Sequence, residues 1–123
     1  MCIKCRDILR KYINTNINQT FQTARGISFT IERQYDDMIV INTEDGKPRP
    51  FHLTHLANCY HWMSIQKRSI HGVGSSLDSI RGLIGATGQL SKCELCERSP
   101  AYIWGILQSM NNVKIGPNNT LSI

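Results

Sequence analysis

Four of the five cysteines form two C-x-x-C pairs that lie far apart in the sequence. A two-residue spacer lets both thiolates of a pair face one metal ion, and four thiolates suit tetrahedral Zn²⁺. Because the cost of loop closure rises only with the logarithm of loop length, both pairs can serve one ion. The sequence therefore predicts a structural zinc that ties the N-terminus to the turn before the last helix. The predicted ligands are Cys2, Cys5, Cys93 and Cys96.

Other interpretations of the cysteines stay open at this level. The pairs can be unrelated, or one of them can be a redox pair. A thioredoxin-like pair follows a strand in a βαβ unit, whereas Cys93 follows a helix-and-loop pattern. Cys59 is left over, and either Cys59 or His61 is a candidate to replace one thiolate at the metal.

The positive charge is distributed unevenly. Residues 46–77 contain no Asp or Glu, although they hold four basic residues and all four histidines, with Tyr60 and Trp62 among them. Basic groups interleaved with aromatic and amide groups suit a phosphate backbone and stacked bases. A second basic cluster lies on the first predicted helix. The predicted nucleic-acid contacts are Lys4, Arg6, Arg10, Lys11, Lys47, Arg49, His52, His55, Asn58, Trp62, Lys67 and Arg68.

Two alternatives to DNA or RNA binding remain. The basic stretch can be a solvated helix face, or it can contact a protein partner, as in a small inhibitor or adaptor. An enzyme has less support. His52, His55 and Cys59 share a helix face and could hold a catalytic zinc, which would make a hydrolase or nuclease. However, that helix has no carboxylate to act as general base, and the H-x-E and P-C-x-x-C deaminase signature is missing. We therefore expect a binding module and no catalysis.

The elements that position these residues are a hairpin and about four short helices. Alternating apolar residues predict a β-hairpin over 26–43, with a second strand at Met38–Asn42. Gly46 and Pro48 predict a turn in which the proline ends the strand. One-sided apolar spacing predicts helices over 2–20, 51–66, about 77–84 and 101–110, and the tail over 113–123 is predicted to form a second hairpin.

Length and composition limit the class of protein. With 123 residues, 41% of them hydrophobic, the chain fits a single α+β domain spanning 1–123. No apolar run is long enough for a transmembrane helix, and the first residues show no apolar signal segment. We expect a cytoplasmic protein in a reducing compartment, where thiols serve as metal ligands more often than as disulfides.

Overall fold

The computed structural model describes residues 3–72, 78–86 and 99–123. Over these residues the chain forms a small α+β domain with a four-stranded antiparallel sheet. In chain order the elements are α1 (Ile3–Thr15), β1 (Thr20–Gln22), β2 (Ser28–Tyr35), β3 (Met38–Thr43), β4 (Pro48–His52), α2 (Leu53–Ser64), α3 (Ile80–Ala86), α4 (Ser99–Ser109), β5 (Lys114–Ile115) and β6 (Leu121–Ser122).

The predicted hairpin is confirmed as β2 and β3, and these strands form the centre of the sheet. The strand order is β1-β2-β3-β4, so the structure adds an edge strand on each side of the hairpin. Asp36 takes a left-handed backbone conformation in the tight turn, with φ of 48°, which Asp tolerates better than most residues. The pairing of β2 with β3 shifts by one residue between Ile31 and Arg33. This β-bulge changes the direction of the side chains in the part of β2 that leads to the turn.

Helices α1, α2 and α4 share one hydrophobic core with the sheet. The strands contribute Phe29 and Ile31 from β2 and Ile39 and Ile41 from β3, none more than 2% exposed. Full burial of such a side chain contributes about 1.5–3 kcal/mol. The helical members of the core include Leu9, Ile13, Leu56, Met63, Ile103, Ile106 and Leu107.

Helix α1 is shorter than the predicted helix over 2–20. It ends at Thr15, and polar side chains at this end bond back to carbonyl groups of the helix. The Thr15 hydroxyl donates to Lys11 O at 2.8 Å and the Asn16 amide donates to Tyr12 O at 2.7 Å. Asn18 then takes a φ of 67°, and the chain turns into β1.

The predicted start of the second helix at Phe51 is wrong. Phe51 and His52 belong to β4, where they pair with Ile39 and Met38, and α2 begins at Leu53. Pro48 opens this strand instead of ending one. Proline lacks a backbone N–H and is tolerated on an edge strand, which is where β4 lies.

The C-terminal part matches its prediction more closely. Helix α4 spans Ser99–Ser109 where the prediction was 101–110, and the tail forms the predicted hairpin, made of β5 and β6. Helix α3 starts at Ile80, later than the predicted start near residue 77, which lies outside the described residues. The hydroxyl oxygen of Ser79 accepts a hydrogen bond from Gly82 N at 2.9 Å. No helix in the described ranges is long and apolar enough to cross a membrane.

Candidate nucleic-acid interface

The predicted contact residues fall into separate groups on the structure. One surrounds Asp37, where α1, the β2–β3 turn and the start of α2 meet. Another lies on the β3–β4 turn, and a third lies at the C-terminal end of α2 and the loop after it. We call the third group the α2 loop surface, defined by Trp62, Lys67, Arg68 and Ser69. The remaining residues lie along α1.

The group at Asp37 is internally compensated. The Arg6 guanidinium lies 2.8 Å from one carboxylate oxygen of Asp37, and the Thr54 hydroxyl donates to the other at 2.8 Å. The His52 ring nitrogen Nδ1 lies 3.6 Å from the same carboxylate. In addition, the backbone N–H of Leu53 donates to Asp37 O at 2.7 Å, which fixes the start of α2. Arg6 and His52 therefore already face a carboxylate of the protein.

His55 lies next to this group but inside the protein. The residue is fully buried, and its ring contacts the His52 ring edge-on at a centroid distance of 5.8 Å. Neither ring nitrogen of His55 has a hydrogen-bond partner in the described part of the chain. Burial, and then the neighbouring His52, lower the pKa of His55 to about 4. The imidazole is thus neutral at pH 7, and no surface of it is exposed to a base.

Cys59 is equally remote from solvent. Burial raises the pKa of its thiol to about 12, so it is protonated at neutral pH and is a poor nucleophile and metal ligand. The described residues contain no group of three His, Cys, Asp or Glu side chains placed to hold a metal. The structure therefore does not bring His52, His55 and Cys59 together as a metal site, although they share a helix.

The β3–β4 turn and α1 carry mixed charge. Arg49 lies 3.3 Å from Asp45, whose pKa is lowered by hydrogen bonds from the Thr43 hydroxyl and the Lys47 backbone N–H. Lys47 is exposed. On α1, Lys4 and Lys11 are exposed, and the Arg10 guanidinium donates to Asp36 O at 3.0 Å. A shallow depression of about 380 Å³ lies along this helix and is lined by Asp7, Arg10, Lys11, Asn14 and Thr15.

The α2 loop surface differs from the other groups. The Trp62 indole N–H donates to Ser69 O at 2.9 Å, and the Arg68 guanidinium carbon lies 5.0 Å from the Trp62 ring centroid. Lys67 takes a left-handed conformation, with φ of 54°, and residues 65–69 are all exposed. Neither Lys67 nor Arg68 forms an ion pair with a carboxylate in the described part of the chain. Asn58, one helix turn before Trp62, is half-buried.

One described cysteine of the predicted zinc site lies beside a histidine. The Cys5 sulfur is 3.8 Å from Nδ1 of His61, and Cys5 is 1% exposed. The other three predicted ligands, Cys2, Cys93 and Cys96, lie outside the described residues. The contact brings the first turn of α1 to the last turn of α2, directly before Trp62.

Sequence reasoning found the basic residues but missed their partners. No local pattern in the sequence marked Asp37 as the partner of Arg6 and Thr54. Nor did the spacing of Trp62 and Arg68 indicate that the loop folds back over the ring. Comparisons of the chain with models of protein families, with curated proteins and with solved structures found no match.

Proposed function

We propose that the protein is a nucleic-acid-binding module that contacts DNA or RNA through the α2 loop surface. The observation that carries the proposal is the stack of Arg68 on Trp62 in an exposed loop without a neutralising carboxylate. A guanidinium plane on an indole presents both a flat face for a base and donors for a phosphate. Because the stack is already formed, less side-chain entropy is lost on binding.

The rest of the charge distribution supports this assignment. The chain carries a net charge of +5, and the exposed Lys4, Lys11 and Lys47 have no carboxylate partner among the described residues. Such side chains supply phosphate contacts that hold a nucleic acid without reading its sequence. By contrast, Arg6 and Arg49 are engaged with Asp37 and Asp45 and are weaker candidates for phosphate contacts.

A structural Zn²⁺ bound through the C-x-x-C pairs is the second part of the proposal. Its ligands are drawn from Cys2, Cys5, Cys93 and Cys96. The support is the position of Cys5, which is buried against α2 beside a second metal-binding side chain, His61. Zinc at this point would hold the start of α1 against the end of α2 and so stabilise the base of the α2 loop surface.

Fluorescence anisotropy with labelled single-stranded RNA, single-stranded DNA and duplex DNA tests the binding. We expect affinity that weakens steeply with salt, because cations released from phosphates drive association. Changing both Lys67→Ala and Arg68→Ala should lower the affinity for the preferred nucleic acid at least tenfold. Arg33→Ala is the matched control, since Arg33 also stacks on an aromatic ring, Tyr35, but lies in β2. Equal loss in both variants, or no salt dependence, would contradict the proposal.

Metal analysis of the wild type and Cys93→Ser tests the zinc. We expect one zinc per wild-type chain, less in the variant, and a large drop in its melting temperature, because metal binding and folding share free energy. An unchanged metal content and melting temperature would remove the zinc from the proposal.

A protein partner is the second candidate function, and one feature favours it. Ile65 is 54% exposed in the same loop as Lys67 and Arg68, and an apolar side chain beside cations suits an acidic protein surface. A stoichiometric protein that co-purifies after nuclease treatment, and is lost with Ile65→Ser, would favour this candidate over nucleic acid.

A further inference from the structure

The ring of Trp62 is already occupied at its edge and over one face. The indole N–H donates to Ser69 O at 2.9 Å, and the guanidinium carbon of Arg68 lies 5.0 Å from the ring centroid. Trp62 itself is half-buried and packs against the hydrophobic core. A base that approaches the α2 loop surface therefore meets the guanidinium plane of Arg68 rather than the indole.

Backbone hydrogen bonds fix the loop that carries this plane. The N–H of Ile65 donates to His61 O at 3.0 Å, and Arg68 N donates to Trp62 O at 3.1 Å. Between them, Lys67 takes a left-handed conformation with φ of 54°. The side chains of Lys67 and Arg68 are both exposed. The loop thus offers a flat cation and a flexible cation side by side.

A flat cation suits a base that is not stacked in a duplex. Guanidinium planes bind splayed-out bases of single strands by stacking on their faces. Inside a duplex, both faces of a base are covered by its neighbours, and extruding the base costs a few kcal/mol. A single strand presents base faces at much lower cost, and an adjoining phosphate can then be contacted by Lys67.

The end of α2 next to the loop disfavours insertion into a duplex groove. Recognition helices place their N-terminal residues at the base edges, and helix N-termini attract phosphates. The end of α2 that borders this loop is its C-terminal end, at Ser64, where the carbonyl groups carry partial negative charge. Residues 65–69 form neither a helix nor a strand. Contacts at this surface therefore depend on loop side chains.

We propose that the α2 loop surface takes an unpaired base of a single-stranded nucleic acid, which stacks on the Arg68 guanidinium while Lys67 contacts the neighbouring phosphate. This inference rests on the proposed function and names the form of nucleic acid that is bound. Charge alone favours the duplex, because its higher charge density releases more counterions for each phosphate that is neutralised. A preference for single strands therefore reports the stacking contact.

Fluorescence anisotropy at several salt concentrations compares one sequence as single-stranded DNA, single-stranded RNA and duplex DNA. The proteins are the wild type, Arg68→Lys and the control Arg33→Lys; the Arg33 guanidinium lies 5.3 Å from the Tyr35 ring centroid and also pairs with Glu32. We expect the wild type and the control to bind a single strand about tenfold more tightly than the duplex, because of the stacked base. Arg68→Lys keeps the charge without the plane, so it should lose about fivefold in single-strand affinity with an unchanged salt dependence.

A 2-aminopurine base in the single strand gives an independent readout, because its fluorescence falls when it stacks. We expect quenching by the wild type and none by Arg68→Lys, whose melting temperature should be unchanged because Arg68 is exposed. Duplex affinity that equals or exceeds single-strand affinity, or a single-strand preference that Arg68→Lys retains, would overturn the inference and leave the proposed function standing. Absence of salt-dependent binding to all three nucleic acids would instead overturn the proposed function.

Discussion

The two ends of α2 use similar side chains in opposite ways. At the N-terminal end, Arg6 and His52 surround the carboxylate of Asp37, and His55 is buried without a charge. At the C-terminal end, Arg68 lies over Trp62 and faces solvent without a carboxylate partner in the described chain. The density of basic residues therefore does not locate a binding surface. What matters is which cations the fold has left uncompensated.

Two buried cysteines, Cys5 and Cys59, should differ most in the unfolding free energy that is lost when each is substituted. With zinc present, Cys5→Ser should lose several kcal/mol of unfolding free energy, because a structural ion is lost with its ligand. Cys59→Ser should lose about 1–3 kcal/mol, the ordinary cost of a polar group in a core site. Urea unfolding with zinc and with a chelator measures both. The chelator should lower the unfolding free energy of the wild type towards that of Cys5→Ser. Equal losses of unfolding free energy in the two variants, with no effect of the chelator, would contradict a metal at this end of α2.

The pH dependence of stability should report on His55, near the N-terminal end of α2. The unfolded chain protonates His55 near its ordinary pKa of 6.5, whereas the folded chain resists protonation until about 4. The unfolded state therefore binds more protons in this window, so stability should fall as the pH drops from 6.5 to 4 and then level off. The loss attributable to His55 is about 3 kcal/mol.

His55→Leu is the matched variant for that measurement. It removes the titrating ring while keeping an apolar side chain of similar size, and its unfolding free energy should lack this part of the pH dependence. Urea unfolding of both proteins between pH 4 and 7 gives the difference. Parallel curves would show that the buried imidazole is not the cause.

A smaller effect follows from the carboxylate at this end. Asp37→Asn removes the charge that faces Arg6 and His52 and weakens the bond from Thr54, and should lower the unfolding free energy by about 1–2 kcal/mol. The ion pair between Asp37 and Arg6 is partly exposed, and solvent screening limits its contribution to the unfolding free energy. Asp7→Asn, on the exposed face of α1, should change stability by less than about 0.5 kcal/mol. Similar losses in both variants would mean that Asp37 has no special role.

The smallest effect on stability belongs to Arg68. Arg68→Ala should change the unfolding free energy by no more than about 0.5–1 kcal/mol, since it removes one exposed cation–π contact. The same change should weaken nucleic-acid binding several-fold and reduce its salt dependence by about one phosphate contact. If Arg68→Ala loses stability but binds nucleic acid normally, Arg68 has a structural role, like the residues around Asp37 at the N-terminal end of α2.

Much of the fold was predictable because its signals are local. Alternation of apolar residues predicted the β2–β3 hairpin, and helical spacing predicted α1, α2 and α4. Strands β1 and β4 were missed. Three residues around Phe21 are too few to show alternation, and Pro48 was interpreted as a strand breaker because nothing local marks β4 as an edge strand.

Composition and spacing alone specify the kinds of group that the protein offers: paired thiols, an acid-free basic stretch, and aromatic residues within it. The tertiary structure sets what each group contacts. It placed Asp37 against Arg6, buried His55, set His61 beside Cys5 and laid Arg68 over Trp62. Composition and periodicity are local properties of the chain. Charge compensation and desolvation depend on distances between residues that the packing of helices and strands brings together.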